Sequence, residues 1–348
     1  LTPLGNGPYA VRQVENTPGK KVRKILLDSF ANFYRPPFLD GVTVTFYDTQ
    51  DEANRAFAGR EINAVGVGLS DDFPNTPGNL QTNSRMSIPQ YQAVFLNTKT
   101  AILANVQVRE ALLRVLNSAT ITQAAWPDHA TTLGGTPLGE NDFVSSSLAE
   151  PDITKADEQL TAAGWKKTLS GIRAKGKTEL AVTLVTLNTP AFNTAAEIIQ
   201  ATWENLGVRV TLIQADTGQF INDYVRPRNF DALLFSEKTN ADPDPFAFWH
   251  SSQAKDPGLN VSGLAVPQID KLITEARTST DEATRTALYE QLTQLLNTQH
   301  AALYLNQSLY NYITDPKIRG IQMQRLPDPS WLLALSTSWH IKFARTWK

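Results

Sequence analysis

Apolar and polar positions alternate along this chain with two different periods, and the switches between them outline its elements. Residues 179–187 (ELAVTLVTL) are an apolar, β-branched run of strand length. Asn188-Thr189-Pro190 follows, a capping pair with Pro at a first helical position. The helix predicted from there to about Leu206 sets Ile199, Trp203 and Leu206 on one stripe, and Gly207 stops it. In residues 208–214 Val208, Val210 and Leu212 alternate with Arg209 and Thr211, which predicts a second strand. A short helical stretch near 218–226 leads to a third strand at 230–235. Alternation of this kind predicts an open α/β sheet.

The same order occurs earlier: a strand at 42–47, a helix at 51–58 and, after Gly59, a strand at 62–67. Two α/β lobes are the economical explanation. Between these regions lie a strand at 91–98 (YQAVFLNT) and a helix at 105–117 with Val108, Leu112, Val115 and Leu116 on one face. A helix at 154–163 has Thr154 as its expected N-cap and Gly164 after it. Late helices are predicted at 267–276 and 280–297. The tail carries Trp331, Trp339 and Trp347, whose spacing suits core packing better than ligand stacking.

Composition narrows the function more than the fold. At 348 residues the chain predicts two domains. With 32 Lys and Arg against 34 Asp and Glu the net charge is −2, which leaves no electrostatic footprint for nucleic acid. The cluster Lys20, Lys21, Arg23 and Lys24 reads as solvated surface. The absence of Cys excludes disulfides and thiol chemistry. No apolar run approaches the ~18–20 residues of a membrane helix. The opening residues carry no initiator Met, so the chain is expected to be a mature or truncated product.

Catalytic patterns are missing. The four His (His129, His250, His300, His340) show no HExxH or other paired spacing, so no metal site is expected. His300, at the end of a helical pattern, suits the helix dipole as a cation. His250 lies among aromatics, where packing or capping is the simpler role. There is no dinucleotide fingerprint, phosphate loop or Gly-x-Ser-x-Gly elbow, and no cofactor is expected. Asp242 and Asp244 are the nearest approach to a carboxylate pair, but Pro243 and Pro245 mark them as turn or cap residues. Position is more informative. In open α/β sheets ligands sit beyond the carboxyl ends of strands. There the chain places Asn188 and Thr189 after one strand, and the polar stretch 236–246 after another.

At this stretch the sequence resembles the family 5 extracellular solute-binding proteins, the peptide, oligopeptide and nickel receptors of ABC importers. Gly5-Asn-Gly-Pro-Tyr9, Phe57-Ala-Gly-Arg-Glu-Ile-Asn63 and Phe95-Leu-Asn-Thr98 with Val108-Arg-Glu-Ala-Leu112 carry the likeness first. Leu160-Thr-Ala-Ala-Gly-Trp165, Gly171-Ile-Arg173, Asn205-Leu-Gly-Val-Arg-Val210 and Phe230-Asp-Ala-Leu233 continue it. Asp242-Pro-Asp244, Val261-Ser-Gly263 and Ile269-Asp-Lys-Leu272 complete it. No one motif is specific; their ordered succession over about residues 5–320 is.

The resemblance implies a two-lobed periplasmic-binding-protein-like α/β fold of type II. Lobe one would comprise 1–96 and 305–348, and lobe two 97–304, with hinges near Leu96–Thr98 and Leu303–Asn306. Family members carry a long segment before the Gly-Pro-Tyr motif, so lobe one is expected to be incomplete. The implied function is non-enzymatic: a monomeric, extracytoplasmic receptor that closes on a peptide or other small solute and delivers it to a membrane permease. Candidate contacts are Tyr91, Asn97, Asn188, Ser236, Glu237, Thr239, Asn240 and Trp249. In peptide-binding relatives an Asp before the Asp-Pro-Asp turn pairs with the peptide amino terminus, and this sequence aligns Thr239 there. The Arg that meets the peptide carboxylate in the dipeptide branch is replaced by Thr186 or Asn188. A free zwitterionic dipeptide is therefore disfavoured, because a buried unpaired charge costs several kcal/mol. Glu237 replaces the missing acid if its side chain turns inward; an exposed side chain in the loop is the simpler expectation. The alternatives are a receptor-fold sensor without a transport role and a secreted hydrolase using Asp242 and Asp244.

Overall fold

The structure, a computed structural model, describes residues 5–69, 71–138, 150–239, 242, 244–322 and 324–342. The chain divides into two compact units, one of Leu1–Pro89 with Leu309–Lys348 and one of Gln90–Ser308.

The first unit opens with β1 (Tyr9–Asn16), β2 (Val22–Ser29) and β3 (Gly41–Thr45), an antiparallel three-stranded sheet. Helix α1 (Gln50–Ala58) follows, capped by Thr49, whose hydroxyl accepts from the Glu52 N–H. Then come β4 (Ala64–Val67) and the long β5 (Thr82–Leu96), whose later half belongs to the second unit. The early strand–helix–strand run is thus not a parallel crossover. Its first strand joins the three-stranded sheet, while β4 pairs antiparallel with residues 311–314. Element order alone does not distinguish these two arrangements.

In the second unit β5 is followed by α2 (Val106–Arg114), α3 (Ser118–Ala125), β6 (Ala130–Thr132) and α4 (Ile153–Ala162). Asn105 and Asn117 cap α2 and α3. Asp152, rather than Thr154, caps α4, accepting from the Lys155 N–H at 2.8 Å. A small sheet of β7 (Lys166–Lys167), β8 (Arg173–Lys175) and β9 (Thr178–Glu179) leads into β10 (Ala181–Leu187). Next come α5 (Pro190–Asn205), β11 (Arg209–Ala215), and a short α6 (Thr217–Gln219) that runs into a π-helical turn. The unit continues with β12 (Ala232–Lys238), α7 (Phe246–Trp249), α8 (Pro267–Thr278) and α9 (Glu282–Gln299), and closes on β13 (Ala302–Thr314). The last residues of β13 lie in the first unit, followed there by β14 (Ile318–Arg319) and β15 (His340–Ile341).

The sheet of the second unit has the order β11-β10-β12-β5-β13, with β6 against β13. Strands β11, β10 and β12 are parallel, and β5 runs antiparallel to β12. One face carries Tyr91, Phe95, Val185 and Leu233 against Ile269, Leu272, Ile273, Leu292 and Leu296 of α8 and α9. Helix α5 packs on β10 and β11, burying Phe192, Ile199 and Trp203. The Trp203 indole donates to the Leu112 carbonyl at 2.9 Å, so its burial, worth about 2–3 kcal/mol, leaves no orphan donor. The first unit has separate cores: Phe57, Val65, Val67 and Ile313 in one; Met86, Ile88, Leu326, Leu332 and Trp339 in the other. Trp339 is therefore packed as expected, Trp331 is exposed, and Trp347 lies outside the described residues.

Many residues behind the family likeness hold the scaffold together. The guanidinium of Arg173, 1% exposed, donates to the Leu206 carbonyl at 2.8 Å and to that of Trp165 at 2.9 Å, and pairs with Asp157. Three separate motifs thereby converge on one cation. Gly207 has φ +94°, and a Cβ there would lie 2.8 Å from the Gly171 carbonyl, so a side chain is excluded both by conformation and by contact. Arg109, buried, donates to the Gln299 carbonyl at 3.0 Å and so supplies positive charge at the end of α9. The sequence assigned that charge to His300, but burial pushes the pKa of His300 down and Glu110 only opposes this.

Candidate functional site

Because β10, β11 and β12 are parallel, their carboxyl ends share one edge of the sheet, and β5, antiparallel to β12, begins at the same edge. Five of the candidate residues gather here or directly behind it. Strand β12 continues past Phe235 to Lys238, so Ser236 and Glu237 are strand residues, not loop residues. Their side chains point to opposite faces. Ser236 accepts from the Gln92 amide at 3.0 Å, and that amide also reaches Ser308 at 3.1 Å. Glu237 stands directly opposite Tyr91 in the register.

The position of Glu237 overturns the expectation of an exposed loop carboxylate. The side chain is 4% exposed and accepts a 2.7 Å hydrogen bond from the Tyr304 hydroxyl on β13. That bond spans the whole width of β5, since the strand order is β12-β5-β13. Aromatic rings surround it. Tyr304 meets Tyr91 and Phe95 edge-on at 6.3 and 6.1 Å, and Phe95 is 6.4 Å from Trp249. Burial raises the carboxyl pKa to about 7, partly offset by the Tyr304 hydrogen bond. Burial also drives the Tyr304 hydroxyl well above its ordinary value, reinforced by the neighbouring Glu237.

At the rim of the edge are polar groups with no hydrogen-bond partner among the described residues. Thr189, at the N-cap position of α5, makes no side-chain cap bond, and its Oγ1 is buried without a hydrogen-bond partner. The same holds for Thr239 Oγ1 and Asn193 Oδ1. Asn188 is exposed and accepts from the Asn193 amide at 2.9 Å. Asn240 lies outside the described residues. Asn97 stands at the far end of the sheet, where its amide donates to Phe230 at 3.0 Å and its Oδ1 accepts from the Lys99 N–H. Its side chain is committed to its own backbone. Trp249, 2% exposed, is a wall of the core rather than a surface group.

The acidic turn after β12 is tied off. Asp244 accepts from the Phe246 N–H at 3.0 Å and pairs with Arg277 at 3.0 Å, while Asp242 pairs with Arg285. Arg277 also lies 4.2 Å from the centre of the Phe246 ring, which stacks on His250 at 4.4 Å. His250 caps a short turn through Nδ1, accepting from the Ser252 N–H at 3.2 Å. Two carboxylates each held by its own arginine are poorly placed to share a proton across a glycosidic bond. Among the described residues no group of three or more His, Cys, Asp or Glu could hold a metal ion, and no helix is long and apolar enough to cross a membrane. Tyr304, Gln92 and Asn193 escaped sequence reasoning. Tyr304 lies 67 positions from Glu237, and no local pattern announces such a pair.

Comparison with known proteins agrees with this architecture. The family description "Bacterial extracellular solute-binding proteins, family 5 Middle" matches residues 1–258. The dipeptide-binding protein of Escherichia coli is 26% identical over 340 residues, covering 91% of this chain and 60% of that one. The chain thus spans well under two thirds of that relative's length. Among solved structures, the ABC transporter substrate-binding protein CtaP of Listeria monocytogenes superposes with a TM-score of 0.78 at 19% identity, covering 98% of this chain and 67% of its own. NikZ of Campylobacter jejuni, in complex with Ni(L-His), gives 0.71 at 21% identity, with 96% and 67% coverage. These two likenesses concern the fold. The chain belongs to the family 5 bacterial extracellular solute-binding proteins.

Proposed function

We propose that this chain is the solute-binding part of an ABC importer receptor. It works outside the cytoplasmic membrane as a monomer, takes a peptide or related small solute, and hands it to a membrane permease. The solute would sit at the carboxyl edge of the second unit. The observation that carries this reading is the set of buried oxygens at that edge, Thr189 Oγ1, Asn193 Oδ1 and Thr239 Oγ1, which find no partner among the described residues. Buried polar groups are otherwise nearly always paired, so such a set points to a polar ligand that completes it. The name of the dipeptide-binding relative supports a peptide as the solute.

Hydroxyl and amide oxygens suit neutral hydrogen-bonding groups better than terminal charges. A peptide held here would be gripped through its backbone amides, not by its ammonium and carboxylate ends. The test is calorimetric titration with trialanine and with the same peptide acetylated and amidated, on protein freed of bound solute by mild unfolding. Affinities within about threefold of each other support backbone recognition. A preference of about tenfold or more for the charged form overturns it, and no binding of either removes the peptide reading.

A further inference from the structure

We propose that the Glu237 carboxyl, buried against Tyr304, is a proton-operated latch behind the solute-facing edge of the second unit: it keeps the end of β12 packed while it carries its proton, and the desolvated anion left when the proton is lost pulls that end open towards water. The inference rests on reading that edge as the solute site. Its basis is geometric. Among the described residues one hydrogen bond reaches the Glu237 carboxyl, the 2.7 Å contact from Tyr304, and it crosses an entire intervening strand. It ends on residues that bracket the site: Ser236 and Thr239 flank the carboxyl in sequence. Tyr304 precedes Asn306 and Ser308, both fully buried, and Ser308 shares the Gln92 amide with Ser236.

Among the described residues, the groups turned towards the carboxyl carry no charge that would neutralise an anion there. From β5 comes Tyr91 and from β13 Tyr304, whose hydroxyl burial drives well above its ordinary value; α7 contributes the indole of Trp249. The arginines of α8 and α9 near the following turn are occupied, Arg277 by Asp244 and Arg285 by Asp242. Tyr289 of α9 is bound to Arg285. His250 is engaged by Ser252 and lies 4.0 Å from Asp270. Loss of the proton therefore leaves an anion among aromatic rings with one neutral donor. The relief open to it is fraying of the end of β12 from β5, its paired neighbour, which lets water reach the carboxylate. Burial raises the pKa to about 7, which places the event in the range an extracytoplasmic protein meets.

Hydrogen exchange on the full chain, without solute, tests this. Protection factors of amides in β12 and in the first half of β13 are compared at pH 6 and pH 8, after correction for intrinsic rates. A carboxyl with a midpoint near 7 when latched, and an ordinary one when released, lowers protection about tenfold over that interval. Glu237→Gln is expected to abolish the difference. Tyr304→Phe, which removes the bond favouring the anion, is expected to move the midpoint upward. Equal protection at both pH values in the unaltered protein overturns the latch, as does an undiminished pH effect in Glu237→Gln. Because no solute is needed, pH-dependent exchange in a chain that binds nothing still supports the latch while removing the solute-binding reading.

Discussion

Glu237 shows how one substitution separates folding stability from pH. Its carboxyl titrates near 7 in the folded chain against about 4.5 when exposed. The folded state then holds a proton that the unfolded state has already released. Its contribution is intact below pH 4.5 and is lost progressively up to about pH 7. At roughly 1.4 kcal/mol per pH unit, the buried charge costs about 3 kcal/mol by pH 8. Glu237→Gln is therefore expected to stabilise the protein by up to that amount at pH 8 and by almost nothing at pH 4.5, as read from urea unfolding at both pH values. Equal effects at the two would show that the carboxyl does not carry the penalty. Arg173 is the opposite case, a buried cation whose partners are all in place. Arg173→Met strips donors from the Leu206 and Trp165 carbonyls and is expected to cost about 3 kcal/mol at neutral pH. A loss below about 1 kcal/mol in the same assay would mean that water replaces the guanidinium.

Among the elements, helices were the most legible part of the sequence and strand ends the least. Helix α9 follows from its periodic apolar face, and α5 from Pro190 at its start and Gly207 just beyond its end. Gly207 also carries the expectation belonging to this scale. Gly207→Ala forces a Cβ into a left-handed turn against the Gly171 carbonyl and is expected to cost about 2 kcal/mol, a few degrees of melting temperature. An unchanged melting curve would show that the turn can relax. The apolar run of β12 ends at Phe235, so the sequence predicts a loop at Ser-Glu-Lys where the strand in fact continues. What keeps those residues in the strand is pairing with Gln90, Tyr91 and Gln92 of β5, far away in sequence. Long-range pairing leaves no local period, so Glu237 was nominated without its burial, and Tyr304 was not nominated at all. Asn97 shows the converse: a polar residue in a recognised motif whose side chain bonds the backbone around it.

Taken whole, the chain concentrates its buried residues in segments that close on themselves. The apolar core that joins the sheet to α8 and α9 lies entirely within Gln90–Ser308, a single continuous stretch. That stretch expressed alone is expected to unfold cooperatively and to give dispersed amide resonances; a non-cooperative, collapsed state would show that its core needs the rest of the chain. In residues 5–53, by contrast, no residue is buried, although three strands pair there. Sheets without a covered face are marginal, so this region should exchange its amides first.

The division of labour inside the second unit bears on how such a receptor changes partners over time. The residues that make the family recognisable, Arg109, Arg173, Gly207 and Asn97, spend their hydrogen bonds and conformations on the protein's own backbone. The edge oxygens of Thr189, Asn193 and Thr239 make no such internal bond among the described residues. Taste and skeleton are thus written in different letters. On the proposal that this rim holds the solute, drift there tries new cargo while the frame stays fixed, and a sensor designer would randomise those three positions first.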